Sequence, residues 1–149
     1  MASRKIEDCS DRIRHVIVSF EERLEREGLK FKRSCTKRSQ EEQNALWKRG
    51  RYPLDVVNAA YKSVGLPPIS EKENRSPVTW VTLTVHSSGD AVDYYQDVDG
   101  RACYDVKTDT DGDSIPDWEE FGRIARECGL VWGGDWKKKD LPHVQFKEV

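Results

Sequence analysis

The chain has 149 residues, with 25 Lys and Arg against 27 Asp and Glu and a formal net charge of −2. That length suits one domain with its own core, since a domain near this size buries roughly 70% of its unfolded surface. A dedicated nucleic-acid binder would be strongly basic and a membrane span needs ~18 consecutive apolar residues, so neither nucleic-acid binding nor membrane insertion is expected; a monomer is the default expectation.

The opening Met1-Ala2-Ser3-Arg4-Lys5-Ile6-Glu7-Asp8 lacks the apolar core of a signal peptide. Cys9, Cys35, Cys103 and Cys128 form no C-x-x-C pair and no regular framework, and are read as mostly buried free thiols. Charge is uneven along the chain. Residues 28–51 carry eight Lys or Arg against two acids, and residues 89–120 carry eleven acids against two bases. The basic block is either a face for an anionic partner or an ordinary solvated face; the acidic block suggests a cation site.

Ile6, Ile13, Val16, Ile17, Phe20 and Leu24 recur at helical spacing, which predicts a helix over about 10–27 with Ser10 as N-cap and Gly28 as its stop. His15 lies on it as a surface residue. Ser39-Gln40-Glu41-Glu42 fits a capping box and predicts a helix over 39–49, closed by Gly50. A third helix is expected over 53–64, with Pro53 near its first position and Gly65 at its end. Residues 66–77 hold too much Pro, Ser and charge to pack and read as a linker.

Strands are expected over 78–85, which delivers His86, and over 91–95, which presents Asp93. Asp99-Gly100 is a hairpin turn signal leading to a strand over 101–106. A helix over 118–128 and short strands at 131–133 and 144–146 complete an α+β pattern: a small antiparallel sheet carrying the site, with helices packed around it, in one domain spanning 1–149.

Two segments carry chemistry: His86-Ser87-Ser88-Gly89-Asp90-Ala91-Val92-Asp93, and Trp132-Gly133-Gly134-Asp135-Trp136 followed by Asp140-Leu141-Pro142-His143. Two His and one Asp can hold a catalytic Zn²⁺ and leave a position for water. A second carboxylate can then take that water's proton. Taken singly, His86 reads as a structural hydrogen-bonder, Asp93 as an edge carboxylate and His143 as a loop residue. The spacing, together with the glycines and tryptophans around them, favours a site. Seven residues is an odd separation in a strand, so Gly89 must break the strand between His86 and Asp93.

His, six residues, Asp, then Trp-Gly-Gly-Asp-Trp and Asp-x-Pro-His resembles the zinc peptidases that include D-Ala-D-Ala peptidases and the L-alanyl-D-glutamate endopeptidases of phage endolysins. The resemblance runs from about Phe31 to Phe146 and leaves out the N-terminal helix and the segment from Asp97 to Asp117. It implies His86, Asp93 and His143 as zinc ligands and Asp140 as catalytic base. It also implies Arg38 as an oxyanion and substrate contact, joined by Gln43, although a lone Arg at a helix entrance is ordinarily a surface charge. Trp132 and Trp136 would wall the cleft, and the plainer reading puts one of them in the core. Thr84 stands where the family has Ser, and Asp90 adds a charge near the metal. The implied activity is zinc-assisted hydrolysis of peptidoglycan stem peptides by an L-alanyl-D-glutamate endopeptidase. Such a phage endolysin would fold in the host cytoplasm and reach the wall through a separate pore-forming protein. A D-alanyl-D-alanine carboxypeptidase on the same site is the alternative.

Asp109-Thr110-Asp111-Gly112-Asp113-Ser114-Ile115-Pro116-Asp117-Trp118-Glu119-Glu120 reads as an EF-hand-type Ca²⁺ loop inserted at about 105–120. Asp109, Asp111 and Asp113 would give side-chain oxygens, Ile115 its carbonyl, Asp117 a direct or water-bridged contact, and Glu120 both oxygens. Ser114 stands where the loop usually has Gly. Without the ion the carboxylates repel one another and the segment should be loose, so Ca²⁺ is expected to raise stability and activity. This loop also supports a reading from another class: a calcium-binding module with a vestigial zinc site.

Overall fold

A computed structural model of the chain describes residues 3–79 and 88–147. His86 and most of the strand expected over 78–85 lie outside the described residues. The elements run α1 (Asp11–Arg26), β1 (Phe31–Cys35), α2 (Gln40–Lys48), α3 (Leu54–Ser63), β2 (Ala91–Val98), β3 (Arg101–Cys103), α4 (Asp117–Glu127), β4 (Leu130–Trp132) and β5 (His143–Phe146). The five strands form one antiparallel sheet in the order β1-β2-β5-β4, with β3 paired to β2. The α+β architecture expected from the alternation of periods is therefore the observed one.

The sheet's core face and two helices make the main core. Ile13, Ile17, Phe20 and Leu24 form the buried stripe of α1; Trp118, Phe121 and Ile124 come from α4; Val92 and Tyr94 come from β2. Phe121 sits among Phe20, Tyr94 and Trp118 at centroid distances of 5.1, 5.5 and 5.0 Å in edge-on arrangements, the geometry aromatic quadrupoles favour. The last two residues of α1's stripe lie four apart, one turn and a little, as a 3.6-residue period requires.

β1 was not anticipated. Its sequence, Phe-Lys-Arg-Ser-Cys, has no apolar alternation, and only the pairing with β2 makes it a strand. Its charges are matched across the structure: Arg33 meets Glu21 at 3.1 Å and Lys32 meets Asp97 at 3.0 Å. Three of the basic block's eight cations, Lys32, Arg33 and Arg38, thus face carboxylates.

Residues 66–77 do pack, contrary to expectation. Leu66 and Ile69 join Ala45, Val57 and Tyr61 in a second small core beneath α2 and α3. The Asn58 side chain brackets Ile69, accepting from its N–H at 2.8 Å and donating to its carbonyl at 3.2 Å. Asn74 accepts from Gly50 N–H and donates to the Tyr52 carbonyl, both at 2.9 Å. Side-chain amides satisfy the backbone here, which a composition-based reading does not register.

Capping differs in detail from expectation. Ser39 accepts from Glu42 N–H at 3.1 Å, but the Glu42 carboxylate turns to Arg38 at 3.4 Å. Ser10 occupies the N-cap of α1, yet its hydroxyl donates to Asp90 at 2.5 Å instead of capping. β3 ends at Cys103 rather than 106, because Asp105 caps the next turn by accepting from Lys107 N–H at 2.9 Å. All four cysteines are free; Cys9 and Cys35 are buried, Cys103 and Cys128 half-buried.

Candidate active site and acidic loop

Asp93 and His143 are cross-strand partners in the β2–β5 ladder. Their side chains meet at the same end of the sheet, with Nδ1 of His143 3.1 Å from Oδ1 of Asp93. The other ring nitrogen, Nε2, lies 2.8 Å from Oε1 of Gln145, two residues along β5 and so on the same face. Burial disfavours the His143 imidazolium, but the Asp93 bond and charge, Gln145 and the Asp140 charge outweigh it and raise its pKa above the ordinary value.

This arrangement fits a zinc ion. Two ligands at ~2.1 Å in a tetrahedral site stand roughly 3.4 Å apart, and Asp93 and His143 are 3.1 Å apart already. A metal-binding imidazole characteristically gives its second N–H to a fixed acceptor, and Gln145 is placed to be that acceptor. Gln145 lies outside both sequence motifs, and its alternation with His143 on β5 is the signal that marks it.

The loop from Gly133 to Asp140 is drawn closed over the site. Trp136 N–H and Asp140 N–H both donate to the Gly133 carbonyl, at 3.2 and 2.9 Å, and His143 N–H donates to the Asp140 carbonyl at 3.2 Å. A Cβ on Gly133 would stand 2.3 Å from the Asp140 carbonyl oxygen and 3.1 Å from His143 Cβ, so only glycine allows this approach. Asp140 is exposed and near enough for its charge to act on His143.

The two tryptophans divide. Trp136 is 37% exposed, with its ring 5.1 Å from the His143 ring, and forms a wall of the site. Trp132 is 7% exposed and belongs to the core: its ring lies against Phe121 at 6.5 Å and its indole N–H donates to the Leu141 carbonyl at 2.9 Å. Any part it has in substrate binding is through holding the loop. Gly122 and Gly134 make room for it, since a Cβ on either would come within 2.2 Å of the ring.

Arg38 lies three residues beyond Cys35, whose Cα partner is Asp93. Burial pushes the Cys35 thiol up to about 11, with the Arg38 charge opposing and the Asp93 charge adding to the rise, which places both charges around that thiol. The Arg38 guanidinium donates to Gln43 Oε1 at 3.1 Å, and buried Gln43 donates onward to Thr79 at 2.9 Å. Gln43 therefore holds the guanidinium rather than standing free in the cleft.

Asp90, a charge that looked out of place beside a metal, is neutralised locally. Arg12 binds it with two nitrogens at 3.0 and 2.7 Å, and Ser10 and Ser88 donate to it as well. The Arg12 bond, against the cost of burial, holds its carboxyl down to about 2.

The acidic loop is folded by its own carboxylates. Asp109 accepts from Gly112 N–H at 3.1 Å and Ser114 N–H at 2.9 Å, and Asp113 accepts from Ile115 N–H at 2.9 Å. Ser114 takes φ 69°, the left-handed region where the loop pattern prefers Gly. The expected looseness is thus opposed by these turns. Among the described residues, the groups close enough to hold a metal are both here: Asp109 with Asp111 and Asp117, and Asp111 with Asp113 and Glu120, oxygens within 4.8 Å of one another. Burial, then Asp113 and Asp111, push the Glu120 carboxyl up to about 8. Glu120 Oε2 and Asp117 Oδ1 are buried without a hydrogen-bond partner. Ile115, the residue expected to lend its carbonyl, is an exposed side chain on the rim.

The fold is shared with peptidoglycan peptidases. The crystal structure of the Serratia marcescens L-Ala D-Glu endopeptidase ChiX aligns with TM-score 0.55 and 20% identity, covering 99% of this chain and 89% of that one. The LdcB LD-carboxypeptidase aligns with TM-score 0.52 and 16% identity over 93% of this chain and 58% of that one. At the level of sequence, residues 79–146 match the family model described as D-alanyl-D-alanine carboxypeptidase. The peptidoglycan L-alanyl-D-glutamate endopeptidase CwlK of Bacillus subtilis is 40% identical over 63 residues, 41% of this chain. The chain spans 38% of that curated relative's length. The resemblance read from the two motifs is borne out over the stretch that contains them.

Proposed function

We propose that this chain is a zinc-dependent peptidoglycan peptidase that cuts the L-alanyl-D-glutamate bond of stem peptides. The observation that carries the reading is the placement of Asp93 and His143 side by side across β2 and β5, inside the family-matched stretch. When bound, Zn²⁺ would acidify a water and polarise the scissile carbonyl. His86, Asp93 and His143 would hold it, His86 on the strength of the sequence pattern. Asp140 takes the water's proton and returns it to the leaving amine. Arg38, held by Gln43 and Glu42, offers its guanidinium to the developing oxyanion. Trp136 gives the substrate a flat wall beside His143.

In this reading the protein is one peptidase domain acting as a phage endolysin. It is a monomer made in the host cytoplasm and reaches the wall through a separate pore-forming protein. Digestion of purified peptidoglycan with mass analysis of the products is the test. New N-terminal D-glutamate with free L-alanine ends is expected. Release of D-alanine alone would make it a D-alanyl-D-alanine carboxypeptidase instead, and intact peptidoglycan with no bound zinc would leave the calcium-module reading.

A second metal, Ca²⁺, is proposed for the acidic loop. Supporting it are the two carboxylate clusters and the buried, partnerless oxygens of Asp117 and Glu120. Such oxygens are costly unless a hydrogen-bond donor or a cation meets them. Asp109, Asp111, Asp113, Asp117 and Glu120 would supply side-chain ligands and Ile115 its carbonyl. Calcium titration of the zinc-loaded protein should raise the melting temperature and the hydrolysis rate. Absence of any heat of binding would remove calcium from the account without touching the zinc site.

A further inference from the structure

β2 presents different residues on its two faces. Asp93 faces the zinc-site side, while Val92, Tyr94 and Gln96 point into the core toward α4. Gln96 is 1% exposed, and its Nε2 donates to Asp117 Oδ2 at 2.6 Å. The same oxygen accepts from Thr110 N–H at 3.0 Å and Thr110 Oγ1 at 2.6 Å. Three donors thus fix one oxygen of a fully buried carboxylate and leave Oδ1 buried with none.

No cationic side chain bonds Asp117 among the described residues. Its place at the start of α4 gives it some of the helix dipole, but not a partner for Oδ1. Asp117 nonetheless stands with Asp109 and Asp111 in one of the clusters of metal-ligand spacing. A carboxylate pinned by one oxygen and standing in such a cluster has the form of a metal ligand oriented by an outer partner.

We propose that Gln96 is a positioning residue joining the calcium loop to the strand of the zinc site: it pins Asp117 for the cation, and cation occupancy is passed through it to β2 and so to Asp93. The inference rests on the calcium reading of the loop. It explains why a Gln is buried three residues beyond Asp93, on a face otherwise lined by Val92 and Tyr94. It also gives the loop a route to the active strand that does not require the loop to reach the cleft.

The test is calcium titration by calorimetry into zinc-loaded wild type and Gln96→Leu, with hydrolysis measured at each calcium level and melting temperatures in chelator and in calcium. Gln96→Asn, which keeps an amide but shortens its reach, serves if the Leu variant does not fold. The proposal expects calcium to bind the variant about 10–100-fold more weakly, the usual cost of removing an outer-shell partner, and the calcium-dependent gain in rate to shrink. A purely structural Gln96 would lower the melting temperature equally with and without calcium and leave the calcium affinity at the wild-type value; that result overturns the proposal alone. Wild type that binds no calcium overturns the proposal together with the calcium reading.

Discussion

Asp93 and His143 face each other across the β2–β5 ladder, with Oδ1 and Nδ1 3.1 Å apart, although fifty residues separate them in sequence. Hydrogen-bonding register sets this proximity, and register is fixed by the buried cross-strand pair next to them, Val92 and Val144. His143→Ala should therefore lose zinc and activity while the sheet persists. Metal analysis beside a circular dichroism spectrum checks this; stoichiometric zinc with full activity would remove His143 from the ligand set.

Gln145 holds Nε2 of that histidine at 2.8 Å. Gln145→Ala should weaken zinc binding by about 10–100-fold, as losses of such outer partners do. Gln145→Glu, which keeps an acceptor, should retain most of the affinity. Competition with a chromogenic chelator measures both, and equal affinities for wild type and Gln145→Ala would make the contact incidental.

Gly133→Ala places a methyl 2.3 Å from the Asp140 carbonyl oxygen. The backbone of the 133–140 loop must shift, at a cost on the order of 1–3 kcal/mol, and Asp140 shifts with it. Turnover should fall by more than the loss of stability accounts for under conditions where the variant is fully folded. A normal rate in a folded Gly133→Ala protein would show that Asp140 does not depend on this close approach.

Much of this was legible in sequence, for identifiable reasons. α1 and α4 declared themselves through apolar spacing, and Asp93, Asp140 and His143 through motifs whose glycines and tryptophans have the structural tasks seen here. β1 was not legible, because Lys32, Arg33 and Ser34 give no alternation and the strand exists by pairing with β2. The packing of 66–77 was missed because it depends on the Asn58 and Asn74 side chains bonding backbone far away in sequence. Trp132 and Trp136 look alike in the motif, and only three-dimensional burial separates the core residue from the cleft residue.

Asp90 makes stability depend on pH. Its folded pKa is about 2, below the ordinary 3.8, through Arg12, Ser10 and Ser88. A depressed carboxyl stabilises the fold above the unfolded value and loses that contribution as pH falls through the folded one. The window is therefore about pH 4 down to about pH 2. The contribution at neutral pH is roughly 2 kcal/mol. Asp90→Asn should lower stability by about that much at pH 7 and flatten the acid limb of the curve. Denaturant melts from pH 2 to 7 read it out, and parallel curves for the two proteins would contradict the assignment.

The most direct test of the central claim is Asp140→Asn, measured for zinc content and for hydrolysis of purified peptidoglycan in the same preparation. Asp140 is exposed, and the substitution keeps its backbone bonds to Gly133 and His143 and a side chain of the same size. The account predicts a full complement of zinc and a rate lowered about 10²–10⁴-fold, the usual cost of losing one acid–base group. Zinc retained with near wild-type release of stem-peptide products would contradict it.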